Sequence, residues 1–235
     1  FTQKWGTLEN DHLSEHDLHA AKTMNTTLHL IEAYAELYRV TKDKAVRTAL
    51  RKLLLLTADT IYDAENKMLR VFFDENMQVL GDLHSYGHDI EAGWLLWDSA
   101  ETMLPKEELA PYREMCLDLI DSVERRAFTD HGLKNEWVSG EVNELRIWWV
   151  QSETMLGFAE AWKLTGEERW LQNLAAQWAT IQRMIVDPRE NGEWYWSVYE
   201  DGSLTERPMV EEWKCPYHNS RMCLRLAEMD PPVSV

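Results

Sequence analysis

The segments "LYRVTKDKAVRTAL" and "AWKLTGEERWLQNL" superimpose at an offset of 124 residues, and half of that offset falls close to a third stretch of the same kind, "TMLPKEELAPYREM". A chain that repeats itself at a fixed interval folds into copies of one supersecondary unit, because each copy buries its apolar face only against its neighbours. The first copy is the clearest. "TTLHLIEAYAELYRV" places Leu28, Ile31, Tyr34, Ala35 and Tyr38 at helical spacing, "TKDK" breaks it, and "AVRTALRKLLLLTADTIY" runs as a second helix. "KMLRVFFDENMQVL" then reads as two short strands around a turn at Asp74 to Asn76. The unit is helix, short break, helix, extended excursion, with a period of about 60 residues.

Helical hairpins in series either stack as an open solenoid or close into a ring whose first helices line the inside. Units this long, with β excursions at one end, favour the ring, an all-α (α/α) barrel. Such a ring needs about six hairpins, and this chain supplies roughly three and a half. The first helix of each pair is expected to open near Asn25, His88, Trp149 and His218. The chain starts at Phe1 rather than at a methionine, and the expectation is that hairpins N-terminal to it are missing.

Composition excludes several function classes. The 235 residues are 45% hydrophobic and 28% charged, the make-up of an ordinary globular chain rather than a disordered one. Lys and Arg total 24 against 41 Asp and Glu, a net charge of −17. That surface repels phosphate backbones and anionic headgroups, so neither nucleic acid nor membrane is expected as a partner. Cys116, Cys215 and Cys223 are odd in number and lack paired spacing, which suggests neither a disulfide framework nor a zinc finger and fits a reducing cytoplasm. No apolar run approaches the length of a membrane span, and "FTQKWGTLEN" has no signal-peptide layout.

The unusual polar residues gather where the first helix of each unit begins. They are Asn25 and His29; His88 and Glu91; Trp148, Trp149 and Gln151 with Glu153; then Tyr217, His218 and Asn219. Four such helix starts at one end of a ring form a pocket. His88 and Glu91 are three apart on one helix face, where the carboxylate can hold the imidazole and raise its pKa while the helix N-terminus lowers it. An imidazole poised near neutrality takes and returns a proton, and two on opposite sides of a pocket form a two-base arrangement. His12, His16 and His19 have the spacing of metal ligands on one helix face, but "HLSEHDLH" is charged throughout and reads as a solvated leading segment. No metal is expected.

Among the twelve tryptophans, Trp94, Trp97, Trp162, Trp170 and Trp178 sit at helical spacing among Leu and Ala and are expected in the core. Trp137, Trp148, Trp149, Trp194, Trp196 and Trp213 lie in excursions or at helix starts. Aromatic faces cover the C–H faces of sugar rings while polar neighbours bond the hydroxyls, so a carbohydrate pocket is inferred.

"KTMNTTLHLIEAY", "YGHDIEAGWLL", "WWVQSE", "NGEWYWSV" and "WKCPYHNSRMC" occur in the order, and at about the spacings, of the cellobiose 2-epimerases, a branch of the N-acylglucosamine 2-epimerase family. The resemblance runs from about Phe1 to Leu226, with "HDIE" and "KCPYHNSRMC" pointing to the cellobiose branch. It implies a single domain over residues 1–235, the C-terminal part of an (α/α)6 barrel. It also implies reversible C2 epimerisation of the reducing-end glucose of β-1,4-linked disaccharides through a cis-enediolate, with no cofactor. By the same resemblance His88 and His218 are the acid/base pair and Glu91 supports His88. Asn25 and His29 hold sugar oxygens, and Trp149 and Trp213 stack on sugar rings beside Trp148. Thr27 departs from the family's "MNTHLH", and the family's N-terminal sugar-contacting arginine has no counterpart here. The chain alone is therefore expected to be inactive or unstable, with an exposed apolar seam. The rival readings are an aldose–ketose isomerase of the same fold, an (α/α)6 glycoside hydrolase using Glu91 and Glu153, and a non-catalytic sugar-binding barrel.

Overall fold

The computed structural model describes residues 20–211 and 213–229, so His12, His16 and His19 lie outside the described residues. Helix α1 (Met24–Thr41) starts where Thr23 caps it, its side chain accepting from the Thr26 N–H. Met24, Leu28, Ile31 and Ala35 form its buried stripe. It ends at Lys42, whose left-handed backbone sends its N–H back to the Tyr38 carbonyl. Asp43 then caps α2 (Lys44–Leu56) by accepting from the Ala45 and Val46 N–H groups. A π turn over Thr57–Ile61 swings the chain into the excursion.

Strands follow as expected. Residues 72–73 pair antiparallel with 79–80, and the Asp74 side chain closes the turn by accepting from Asn76 and Gln78. The hairpin then repeats as α3 (Tyr86–Met103) with α4 (Ala110–Ala127) and as α5 (Trp148–Thr165) with α6 (Glu168–Thr180), and α7 (Tyr217–Glu228) stands as the next first helix. The offset of 124 holds residue for residue: Met24 and Trp148 open α1 and α5, Lys44 and Glu168 open α2 and α6, and π turns begin at Thr57 and Ile181.

α5 is buried far more completely than α2 or α6. α5 buries Trp148, an unbroken run from Val150 to Ala159, and Ala161, whereas α2 and α6 bury one stripe each. A helix covered on most sides needs apolar or internally satisfied residues all round, and α5 supplies them, whereas α1 buries a single stripe and α7 buries Met222. Among the described residues no helix is long and apolar enough to cross a membrane. On α7, Cys223 and Leu224 are exposed.

The described residues form two compact units, one of residues 20–84 with Leu95–Met115, the other of Ser85–Trp94 with the described residues from Cys116 to 229. In the first, Arg39 joins Asp98 and Thr102, and Arg51 joins Glu108. In the second, glycines set how closely helices approach. A Cβ on Gly93 would lie 2.4 Å from Ile120 Cγ1, and one on Gly157 would lie 2.4 Å from Ile90 Cγ1 and 3.3 Å from the Ile90 carbonyl oxygen. Gly157→Ala therefore wedges α5 away from α3 and is expected to lower the unfolding free energy by about 1–3 kcal/mol, read from urea denaturation midpoints. An unchanged midpoint would show that the two helices yield without cost.

Candidate active site

The second unit brings the starts of α3, α5 and α7 together around one buried carboxylate. Glu153 of α5 has no solvent exposure. Its Oε1 accepts from His218 Nδ1 at 2.7 Å and from Arg221 Nη2 at 2.8 Å, and its Oε2 accepts from Trp94 Nε1 at 2.9 Å. The same Arg221 nitrogen donates to Glu91 Oε1 at 2.7 Å. The guanidinium also stacks on aromatic faces, 4.5 Å from the Tyr217 ring centre and 4.9 Å from that of Trp94.

Burial pushes the Glu153 carboxyl toward its neutral form, but the His218 hydrogen bond and the charge of Arg221 outweigh it and hold the group below the ordinary carboxylate range. An ionised carboxylate only accepts. The proton in the His218–Glu153 contact therefore sits on Nδ1, and Nε2 is the ring nitrogen outside that contact.

His88 is half-buried, with Nδ1 2.7 Å from Ser85 Oγ. Its ring centre lies 4.8 Å from that of Trp149, which in turn lies 5.4 Å from that of His218. Both imidazoles thus border one indole. Gly87 permits this placement, since a Cβ there would meet Trp149 Cη2 at 2.6 Å. Trp148 completes the surround, edge-on to His218 at 6.3 Å and against Trp196 at 5.3 Å. Glu91, Glu153 and His218 offer ligand atoms within 4.8 Å of one another, a donor set suited to a divalent cation. In this chain the positive charge between the two carboxylates is the Arg221 guanidinium.

The sequence profile of the N-acylglucosamine 2-epimerase (GlcNAc 2-epimerase) family matches residues 3–220. The chain belongs to that family. Within the N-acylglucosamine 2-epimerase family it is similar to a cellobiose 2-epimerase of Ruminococcus albus, 41% identical over 228 residues that make up 96% of this chain and 58% of that protein. A crystal structure of a sugar epimerase from a ruminal bacterium superimposes with a TM-score of 0.92 at 38% identity, covering 97% of this chain and 58% of that one. The cellobiose 2-epimerase structure from Bacillus thermoamylovorans gives 0.90 at 39% identity, with coverage of 97% and 58%. The chain therefore spans somewhat more than half the length of these relatives. Its fold class is theirs, the all-α (α/α)6-barrel type with an incomplete set of hairpins, as the repeat implied.

Of the residues singled out in the sequence, His88, Glu91, Trp148, Trp149 and His218 come together in the second unit. Trp213 is 69% exposed, just ahead of α7. Asn25 and His29 belong to the first unit, where Asn25 is exposed on α1 and His29 Nδ1 lies 3.3 Å from Glu32. Of the expected core tryptophans, Trp94, Trp97 and Trp170 are buried while Trp162 and Trp178 are half-buried. Trp94 is also a hydrogen-bond donor to the site.

Arg221 was not anticipated. The spacing of three that pairs His88 with Glu91 also places Arg221 on the His218 face of α7, and that was the available signal. Glu153 lay among the pocket residues, but its role as partner of His218 depends on packing between helices.

Glu153 is held ionised in the fold, so its contribution to stability is present above the ordinary carboxylate pKa and is lost as pH falls through its lowered folded value. Arg221→Met leaves Glu91 and Glu153 facing each other without a cation, and is expected to cost about 3–5 kcal/mol near neutral pH. The deficit should narrow toward pH 4, where one carboxylate takes a proton, in denaturation curves measured across pH. A deficit independent of pH would show that Arg221 contributes by packing alone.

Proposed function

We propose that the complete protein epimerises C2 of the reducing-end glucose of β-1,4-linked disaccharides, converting cellobiose to 4-O-β-glucosyl-mannose and back. The observation that carries this reading is the pair of imidazoles bordering the Trp149 indole, one of them fixed through Nδ1 by a buried ionised carboxylate. It is supported by membership of the family and by relatives named cellobiose 2-epimerase.

The chemistry follows from the groups. In the ring-opened sugar the C1 carbonyl acidifies the C2 proton. One histidine takes that proton, the electron pair moves into a cis-enediolate, and the other histidine returns a proton to the opposite face. The aldehyde is restored, C2 is inverted, and there is no net oxidation. Fixing Nδ1–H on Glu153 points Nε2 of His218 to this task, and the contact of Ser85 Oγ with Nδ1 orients the His88 ring. Glu91 and Arg221 set the charge around both rings. Trp149 and Trp148 form an apolar wall for the sugar, and exposed Trp213 is available to stack on the second sugar unit. Asn25 and His29 are assigned to sugar oxygens by the resemblance.

A hydrolase using Glu91 and Glu153 fits less well. A glycosidase acid needs a carboxyl that keeps its proton, whereas Glu153 is held ionised and shares one arginine nitrogen with Glu91. The test is deuterium uptake at C2 from heavy water by the complete protein with cellobiose. His88→Asn and His218→Asn should each lower uptake at least about a hundredfold, the range of a lost general acid or base. Undiminished uptake would sink the assignment, and a ketose product would replace it with an aldose–ketose isomerase.

A further inference from the structure

Lys214 is a buried cation outside the cluster described so far. It is 2% exposed, and its ammonium pairs with the Glu193 carboxylate, donates to the Met209 carbonyl at 2.8 Å and lies 5.5 Å from the Trp148 ring centre. Glu193 uses its other oxygen, Oε1, to accept from Asn219 Nδ2 at 3.0 Å. Asn219 follows His218 in the first turn of α7, a helix whose start has no side-chain cap. The excursion residue Glu193 therefore ties the segment before α7 to the turn that carries His218.

We infer that the Lys214–Glu193–Asn219 chain is a positioning device for His218. Three facts point the same way. Burying a lysine ammonium is costly unless it is paired, so the ion pair fixes Lys214 and Glu193 relative to each other. The fixed carboxylate then holds Asn219, which supplies the restraint that a capping side chain gives to other helices. The ammonium also faces Trp148, whose ring lies edge-on to that of His218 at 6.3 Å. Nearby contacts strengthen the same strap: Trp196 Nε1 donates to Glu211 at 2.6 Å, and the Arg207 guanidinium stacks 4.0 Å from the Trp196 ring centre. Lys214 acts here through Glu193 and Asn219 and not on a substrate.

The inference rests on the epimerase reading for its activity readout, and the test separates the two. In the complete protein, Lys214→Met and Asn219→Ala should each lower kcat for C2 exchange about tenfold with KM within about twofold, because a small misplacement of a reacting group acts on the chemical step. The double variant should lose no more than either single one, and Lys214→Arg should restore most of the rate. Additive losses, or losses confined to melting temperature with kcat intact, overturn the inference. If Lys214→Met does not fold, the same comparison is made with Glu193→Gln and Asn219→Ala. If the parent protein shows no C2 exchange, the epimerase reading fails. The positioning claim is then decided by the His218 imidazole nitrogen resonances, which must shift in Asn219→Ala if the chain holds that ring and stay unmoved if it does not.

Discussion

The Glu153 carboxylate is the interaction on which the second unit depends. It sits in a first helix that is covered on most sides, where an unpaired charge would be intolerable. The fold answers with three donors from two other helices: Trp94 from α3, and His218 and Arg221 from α7. Each donor is committed by the need to satisfy one buried group. Positions of His218 and Arg221 are thereby coupled, and Glu91 joins through the same arginine nitrogen. A charge that costs stability in isolation becomes the point from which the arrangement is set.

The glycines and the repeat make that point reachable. Gly157 lets α5 approach α3, and Gly87 lets Trp149 lie beside His88. The uncapped starts of α5 and α7 leave the site to be shaped by contacts between elements rather than by local caps. On α7 that task falls to Asn219, which donates to Glu193 of the excursion, itself paired with the buried Lys214. In the second unit the buried helix α5 thus carries the central carboxylate, and the β excursion supplies a restraint on α7.

Much of this is legible in the residues. The repeat located the first helices within two residues of their observed starts at Met24, Tyr86, Trp148 and Tyr217, because apolar periodicity is a local property. The clustering of His88, Trp149 and His218 followed from the same register. Pairings across helices were not legible. That Glu153 would receive His218, that Arg221 would bridge two carboxylates, and that Trp94 would donate to the site rather than only fill the core are consequences of helix packing, which spacing along one helix does not encode. Lys214 gave no signal in sequence, since a lone lysine before a helix is ordinarily solvated.

The most direct test of the central claim is the tautomer of the neutral His218 imidazole, read by nitrogen-15 NMR on the protein labelled at histidine. The proton is expected on Nδ1, and Glu153→Gln is expected to change this signature. A neutral ring protonated on Nε2, or one indifferent to Glu153→Gln, would contradict it.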